Sequence, residues 1–372
     1  TAVSFGIALA AVVWTAFCVR FRLRSFDLRL SRFVHGSLVL LVLGDLIWVA
    51  FGFNPVVPPR IVFPDPPSGL RQVAERAKGG RVIASGEILS PNVAMCYGLY
   101  DVRGYDFPLD KRWSSLFRRL GCKPGLVILP REQFIPCVRA ELQSVCDKSS
   151  VRFFYTSSEP KSEPAPENLP VCGTADVAGY LLPPWRLVAR GVGAAKDLVY
   201  QNPSAYSRAY FAKRVTFAGA ETALDAVVNV SHDLREESFV EKRIADLSLN
   251  DEGPTALATI EFDGAEEVHI RTQSASPGLL VLSDRYDPNW HVCIDGLAAL
   301  ALRTNYLFRG VAVPAGEHQV RWSYRPAAFS FGCAISVVTL MGLFASLLVT
   351  KFKTSEAPPS PLGGEGRGER SC

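Results

Sequence analysis

The junction near Pro326 constrains the fold of this chain most strongly. Residues 279–326 alternate short apolar stretches with tight turns, and residues 327–350 follow without a single charged side chain. A helix rises about 1.5 Å per residue, so an uncharged run of this length can cross a bilayer. The sequence therefore predicts a β-rich domain that ends at Pro326 and a membrane helix that begins at the next residue.

Two further apolar runs lie near the other end of the chain. Residues 1–19 carry no charge, and residues 33–53 are apolar apart from His35 and Asp45. Both runs approach the roughly 20 residues that a spanning helix needs. The chain opens inside a hydrophobic run, without the basic stretch of a signal peptide. We therefore expect it to be the C-terminal part of a longer polytopic membrane protein.

Asp45 is a candidate intramembrane polar residue. A carboxylate within a span is costly and usually faces a partner or a water-filled cavity. A functional role and a role in helix packing explain its presence equally well.

The placement of basic residues predicts the topology. The loop 20–32 holds five arginines against one aspartate, and Lys351 and Lys353 follow the third predicted span. Lys and Arg near helix ends favour the cytoplasmic side. Residues 54–326 are therefore predicted to lie outside the cytoplasm, on a multi-pass protein of the plasma (inner) membrane. The net charge of the chain is +4, which matches the excess in the loop, so no nucleic-acid partner is indicated.

The external segment is long enough for two cores. After a Pro-rich linker, residues 54–207 predict an α/β or α+β subdomain, because short apolar strands alternate with helical patterns. The predicted helices are 70–78 and 132–144, and the predicted strands include 81–83, 125–129 and 151–156.

Residues 208–326 predict a β-sandwich or jelly-roll-like subdomain, because short strands recur with turn signals between them. Asp295-Gly296 is a strong signal for a two-residue hairpin turn. In the last predicted strand, Val320, Trp322 and Tyr324 fall on one face and are expected to pack inward. Residues 351–372 are expected to form a disordered cytoplasmic tail.

Cysteines and glycines give little indication of chemistry. Cys137 and Cys146 are the best candidates for a local disulfide, and the alternative is that the external cysteines are mostly small buried thiols. No C-x-x-C spacing supports a zinc site. Gly191-Val192-Gly193 begins like a dinucleotide-binding loop but lacks the third glycine, so the sequence identifies no cofactor.

Several motifs together resemble the bacterial YfhO-type membrane protein family. They are LYDVRGYDFPL at 99–109, YQNPSAYSRAYF at 200–211, LLVLSDRYDPNWHVCIDG at 279–296 and NYLFRGVAVPAGEHQV at 305–320, with a further similarity between 45 and 55. The resemblance covers nearly all of residues 34–350. Asn289 stands where the family usually has glycine, and Tyr206-Ser207 where it usually has Leu-Pro.

The resemblance implies a multi-span glycosyltransferase of the C type, which transfers a sugar from a polyprenyl-phosphate donor to an envelope glycan or lipid. In such enzymes the acidic residues of metal-assisted transfer lie on the first external loops, which would precede Thr1. Any divalent metal would belong to that part, and this chain would lack the catalytic loops. The alternatives are a non-enzymatic membrane protein that binds glycan or a partner, and a component of lipid or polymer translocation.

Two groups of residues are candidates for ligand contact. Asp101, Arg103, Tyr105 and Asp106 can hydrogen-bond a sugar or hold a phosphate. The alternative is an Asp–Arg pair that fixes a turn around Gly104.

The second group combines aromatic platforms with polar neighbours, which suits the faces of sugars. It comprises Tyr286, Trp290, Asn305, Tyr306 and Arg309. The alternatives are anchoring at the membrane interface and ordinary packing within the sandwich.

Overall fold

The computed structural model of the protein describes residues 40–47, 65–77, 79–84, 88–89, 93–102, 110–120, 140–157, 184–191, 197–243 and 256–355, with side chains to residue 345. Several predicted features lie outside these residues. They are the span at 1–19, the basic loop 20–32, both ends of the span at 33–53, the linker, the strand at 125–129 and most of the helix at 132–144.

The chain divides into two compact units, Thr1–Asp65 and Pro66–Cys372. In the first unit, residues 40–47 are helical. Asp45 is the one residue of this stretch that is partly buried, and among the described residues its Oδ1 atom has no hydrogen-bond partner. The expectation that Asp45 faces a partner or water stays a prediction.

The second unit begins with an α/β part. Its sheet has the strand order β2-β1-β3-β5-β4, in which β1 is parallel to β2 and β3, and β5 is antiparallel to both its neighbours. The strands are β1 (Arg81–Ala84), β2 (Tyr100–Asp101), β3 (Val151–Thr156), β4 (Arg186–Arg190) and β5 (Leu198–Gln201), and the helices are α1 (Ser68–Ala77), α2 (Lys111–Arg119) and α3 (Ala140–Lys148), with a 3₁₀ turn at Val93–Tyr97.

The local sequence explains these elements. Helix α2 begins after Asp110, whose carboxylate accepts hydrogen bonds from the backbone N–H groups of Arg112 (2.7 Å) and Trp113 (3.2 Å), as an N-cap should. Helix α1 buries Leu70 and Val73 against the sheet. The predicted helix at 70–78 and strands at 81–83 and 151–156 are confirmed within a few residues.

The β-rich part contains two further sheets. One has six strands in the order β6-β11-β15-β14-β8-β7, and the other has five in the order β13-β12-β16-β10-β9. The strands are β6 (Ala209–Ala212), β7 (Arg214–Phe217), β8 (Glu237–Val240), β9 (Ala256–Asp263), β10 (Glu267–Ser274), β11 (Gly278–Arg285), β12 (Trp290–Ile294), β13 (Leu297–Ala299), β14 (Leu302–Thr304), β15 (Phe308–Val313) and β16 (Gly316–Tyr324).

The two sheets pack face to face around one core, which draws Leu280 and Val311 from the six-stranded sheet and Ile270, Val320 and Trp322 from the other. This is the sandwich arrangement that the strand pattern predicted. Val320 and Trp322 are fully buried, as predicted for this face of β16, whereas Tyr324, which was expected to pack inward with them, is only partly buried. The Asp295-Gly296 turn is also confirmed, because both residues have positive φ angles, 50° and 82°, as a type I′ hairpin requires.

One helix within residues 208–326 was not predicted. Helix α4 (Ala220–Val228) connects β7 to β8, and these two strands pair in parallel. Its buried side chains include Ala223, Leu224 and Val227, whose spacing of one, three and four residues is typical of an apolar helix face. The other face of the six-stranded sheet packs against this helix and the α/β part, so the region is not purely β.

The structure shows the surroundings of Gly191 and Cys146, which the sequence analysis considered for a dinucleotide-binding loop and for a disulfide. A Cβ atom at Gly191 would overlap the carboxylate of Asp197, so packing explains this glycine without a dinucleotide. Cys146 is a free, buried thiol and not half of a disulfide. Cys96 is exposed and Cys293 is partly buried, so the alternative of mostly buried thiols holds for Cys146 but not for these two described cysteines. Burial also raises the pKa of Cys146 well above its usual value. Cys137 lies outside the described residues.

Helix α5 (Ala327–Ser355) starts three residues after β16 ends. Residues Ala327–Ala345 have a mean hydropathy of 2.0 and no burial against the rest of the chain. The predicted membrane helix is therefore confirmed as one long, apolar, exposed helix. It continues five residues into the segment 351–372, for which we expected disorder, and basic side chains such as Lys351 and Lys353 are favourable in a last helical turn. The rest of that segment lies outside the described residues.

Candidate functional site

An irregular strand pairing brings a carboxylate into the interior of the domain. Strand β11 is buried from Gly278 to Asp284, and its register with β15 shifts between Leu282 and Arg285. Such a bulge re-aims the side chains next to it. The carboxylate of Asp284 is only 10% exposed, so it must be paired with positive charge to remain ionised.

Three arginines surround Asp284. Arg208 donates from Nε to Oδ1 (2.7 Å) and from Nη2 to Oδ2 (2.8 Å), and Arg309 donates from Nη2 to Oδ2 (2.6 Å). Arg81, on β1 of the α/β part, also pairs with Oδ1. Asp263 forms a second ion pair with Arg208. Three guanidinium groups and two carboxylates leave this cluster with a net charge of +1.

Two of the three arginines each have several hydrogen-bond partners. Arg208 uses all three of its nitrogens on Asp284 and Asp263. Arg81 donates to the carbonyl oxygen of Ser149 (2.7 Å) and to the hydroxyl of Ser283 (3.2 Å), as well as to Asp284. These contacts tie the α/β part to the sandwich, so a structural role accounts for Arg81 and Arg208.

Arg309 differs from the other two. It is 2% exposed, yet among the described residues its Nε and Nη1 atoms have no hydrogen-bond partner. Its guanidinium lies over two indole rings of the opposite sheet, 3.9 Å from the centroid of Trp290 and 5.2 Å from that of Trp322. Both contacts are within cation–π range. Arg309 therefore has aromatic support but two unused donors.

The arginine cluster forms the floor of a cleft of about 410 Å³. Trp290 and Tyr324 form an aromatic wall, with ring centroids 5.2 Å apart. Tyr100, from the first motif of the sequence analysis, lies under Arg208 at 4.9 Å and also lines the cleft. We call this feature the arginine–tryptophan cleft.

The pKa values follow from burial and charge. Burial would raise the pKa of Asp284, but hydrogen bonds and ion pairs with Arg208, Arg81 and Arg309 outweigh it, so that the pKa lies well below the usual range. Burial lowers the pKa of Arg309 to about 10, because Asp284 compensates the desolvation only in part and two other arginines are near. The cluster thus carries more positive charge than its carboxylates balance.

The residues predicted as one aromatic group separate in the fold. Trp290 and Arg309 meet in the cleft, and Tyr286 lies beside it with Arg303 over its ring at 4.3 Å. Asn305 is fully buried and Tyr306 is 4% exposed, on the other side of the six-stranded sheet.

Burial assigns Asn305 to packing. The amide of Asn305 donates to the hydroxyls of Tyr210 (3.2 Å) and Ser238 (2.9 Å) and accepts from the N–H group of Phe239 (2.8 Å). Tyr306 packs beneath Arg112, 4.9 Å away. Neither side chain is accessible to a glycan.

The other predicted group lies mostly outside the described residues. Asp101 ends β2 at the edge of the α/β sheet, and Arg103, Tyr105 and Asp106 fall in the next, undescribed segment. Sequence reasoning missed Arg81, Arg208, Asp263 and Asp284. The one local signal was the pair Ser283-Asp284 at the end of an apolar strand, where a charge is out of place.

A second cavity, of about 580 Å³, is lined by Lys148, His232 and Asp233. Its buried cation is fully used. The Nζ atom of Lys148 donates to the carbonyl oxygens of Ala226 (2.9 Å), Val227 (3.2 Å) and Asn229 (2.7 Å), at the end of α4. Burial lowers the pKa of Lys148 to about 8. Capping of the C-terminal end of α4 therefore explains the buried lysine of this cavity.

Comparison with known proteins identifies one part of the chain. Residues 252–336 match the family model described as Bacterial membrane protein YfhO. These residues form a YfhO-type region. It contains β9 to β16 and the first ten residues of α5, and thus Asp263, Asp284, Trp290 and Arg309. No curated protein and no solved structure matches the chain. In the described part of the chain, no group of His, Cys, Asp or Glu side chains is arranged to hold a metal.

Proposed function

We propose that this chain is the membrane-anchored, ligand-binding part of an envelope glycosyltransferase that transfers a sugar from a polyprenyl-phosphate donor. Its arginine–tryptophan cleft holds the glycan that takes part in transfer. The observation that carries the proposal is the position of the cleft at the base of the sandwich. Tyr324, in its wall, is at most about 11 Å along the chain from Ala327, where the apolar helix begins.

The composition of the cleft supports a carbohydrate ligand. Trp290 offers a partly exposed aromatic face, and the neighbouring arginines offer hydrogen-bond donors that a sugar or its phosphate can accept. The YfhO-type region supplies most of these residues.

The same proposal includes a topology, with residues 54–326 outside the cytoplasm. Reporter fusions after Pro58 and after Lys353 are then expected in opposite compartments, because helix α5, the one candidate span among the described residues, lies between them. Alkaline phosphatase and a fluorescent protein that folds only in the cytoplasm provide the measurement. If both fusion points lie in the same compartment, the proposed orientation is wrong.

Transfer itself is tested in membranes from cells that produce the full-length protein and from cells that lack its gene. With a radiolabelled polyprenyl-phosphate sugar, label is expected to enter envelope glycan only when the protein is present, and to return on complementation. Equal incorporation in both membranes would overturn the glycosyltransferase proposal and favour a protein that binds glycan without transferring a sugar.

A further inference from the structure

We propose that the arginine–tryptophan cleft is a phosphate site, in which a phosphate attached to a sugar or lipid binds to Arg309 beside the ring of Trp290. The inference deepens the proposed function, since it names the chemical group that the cleft binds.

The net positive charge of the cleft favours the binding of an anion. Asp284 and Asp263 neutralise two of the three buried arginines, and the cluster keeps a net charge of +1. Arg285, which lines the mouth, lies 3.9 Å from Asp287 and is more than half exposed. A buried uncompensated charge is costly. A bound anion would therefore stabilise the cluster.

The donors that can receive the anion belong to Arg309. Its Nη2 atom is occupied by Asp284, and Nε and Nη1 are unused by the described residues. Both nitrogens lie under the ring of Trp290, which is only partly buried. Arg309 and Trp290 both line the cleft, so these donors adjoin the space that a ligand would occupy. Arg208 uses all three of its nitrogens and Arg81 uses both Nη atoms, whereas Arg309 keeps two buried nitrogens that the described residues do not use.

Phosphate fits these donors by shape. It presents oxygens in a tetrahedral arrangement, so one group can accept hydrogen bonds from Arg309 and from Arg285 at the mouth, and arginine is the side chain best suited to bind it. The cleft of about 410 Å³ is larger than one phosphate. The remaining space lies against Trp290 and Tyr324 and has room for a sugar ring.

The phosphate can come from a soluble or a lipid-linked source. Tyr324 is three residues from the start of α5, so a lipid headgroup at the bilayer surface is within reach. A phosphate in solution meets the same donors. The chemistry is shared, and an experiment with two lipid compositions distinguishes the sources.

The experiment uses the full chain in nanodiscs of zwitterionic lipid, with inorganic phosphate as the probe. Equilibrium dialysis with radiolabelled phosphate is expected to give saturable binding at one site. Tryptophan fluorescence should change with the same saturation curve, and the change should be smaller in Trp290→Phe. Arg309→Lys is expected to weaken binding about tenfold or more, because lysine keeps the charge but loses the planar donors.

A matched pair of surface variants keeps the test valid if Arg309→Lys does not fold. Arg285 and Arg321 are similarly exposed, at 57% and 55%, but only Arg285 lines the cleft. Arg285→Gln is expected to weaken phosphate binding about threefold, and Arg321→Gln, with the same loss of charge, to leave it unchanged. Equal effects of the two would overturn the site.

The source of the phosphate is tested by repeating the binding measurement in nanodiscs that contain anionic phosphatidylglycerol or polyprenyl phosphate. If these lipids weaken binding of inorganic phosphate through Arg309, the natural group is lipid-linked, and if they do not, it is soluble or carried on glycan. No saturable phosphate binding to the folded protein overturns the inference. The assay of labelled sugar transfer in membranes tests the glycosyltransferase proposal separately, so that either the phosphate site or the transferase activity can be overturned without the other.

Discussion

Replacing Asp284 by Asn is expected to lower the free energy of unfolding by about 3–5 kcal/mol, because it leaves buried arginines without their shared counter-ion. Asp284 accepts hydrogen bonds from Arg81, Arg208 and Arg309, and the amide cannot replace its charge. The measurement is denaturant unfolding of the full chain in detergent micelles at neutral pH, followed by tryptophan fluorescence. A loss below about 1 kcal/mol would mean that the cluster is solvated and not a buried ion network.

The pH dependence provides a second test of Asp284. Its pKa is depressed in the folded state, so its contribution is fully present above its unfolded value of about 3.9 and is lost as the pH falls through the lower folded value. The stability difference between the wild type and Asp284→Asn should therefore be constant at neutral pH and shrink below about pH 4. A difference that grows in acid would contradict the assignment.

A matched control for this variant is Asp225→Asn. Asp225 pairs with a single arginine, Arg119, and both side chains are more than half exposed. Solvent and salt screen such a pair, so the expected cost is about 0.2–1 kcal/mol. The same chemical change thus separates a buried network from a surface ion pair.

The parts of the fold that the sequence predicted correctly are those with a local cause. The face of β16 follows from strict alternation, the turn at Asp295-Gly296 from the need for positive φ, and α5 from a run without charge. Each signal is contained within a few residues or one helix. The pattern of the apolar strand at 279–282 was also read correctly, although β11 continues to Arg285.

The candidate site has a long-range cause, and sequence patterns could not supply it. The partners of Asp284 are at positions 81, 208 and 309, which lie on β1, just before β6 and on β15, in two parts of the chain. A prediction from sequence patterns places each charged residue at the surface, because burial of an unpaired charge is costly. Only the fold shows that these charges are paired. The prediction for Asn305 and Tyr306 was wrong in the opposite direction, because both were expected to contact a ligand at the surface. Both adopt positive φ angles, 45° and 69°, and both side chains are buried.

Replacing Trp322 by Ala is expected to lower the free energy of unfolding by about 3–5 kcal/mol, as for a buried large aromatic side chain. Trp322 is fully buried in the core between the two sheets, where its strand neighbours are Val268 and Val292. Truncation leaves a cavity that these β-branched neighbours cannot fill without moving the strands. Leu297→Ala, at a side chain that is 77% exposed, should change stability by less than about 0.5 kcal/mol.

Trp322→Phe separates packing from polarity at this position. Among the described residues the indole Nε1 atom of Trp322 has no hydrogen-bond partner, and an unsatisfied buried donor costs about 1–3 kcal/mol. Phenylalanine removes that donor and part of the volume, so the two effects oppose each other and the net loss should be at most about 1.5 kcal/mol. If Trp322→Phe is as damaging as Trp322→Ala, the indole N–H makes an essential contact and the core does not depend on the ring volume. A small loss for the phenylalanine variant and a large one for the alanine variant would instead establish that Trp322 stabilises the sandwich by filling space beneath Arg309.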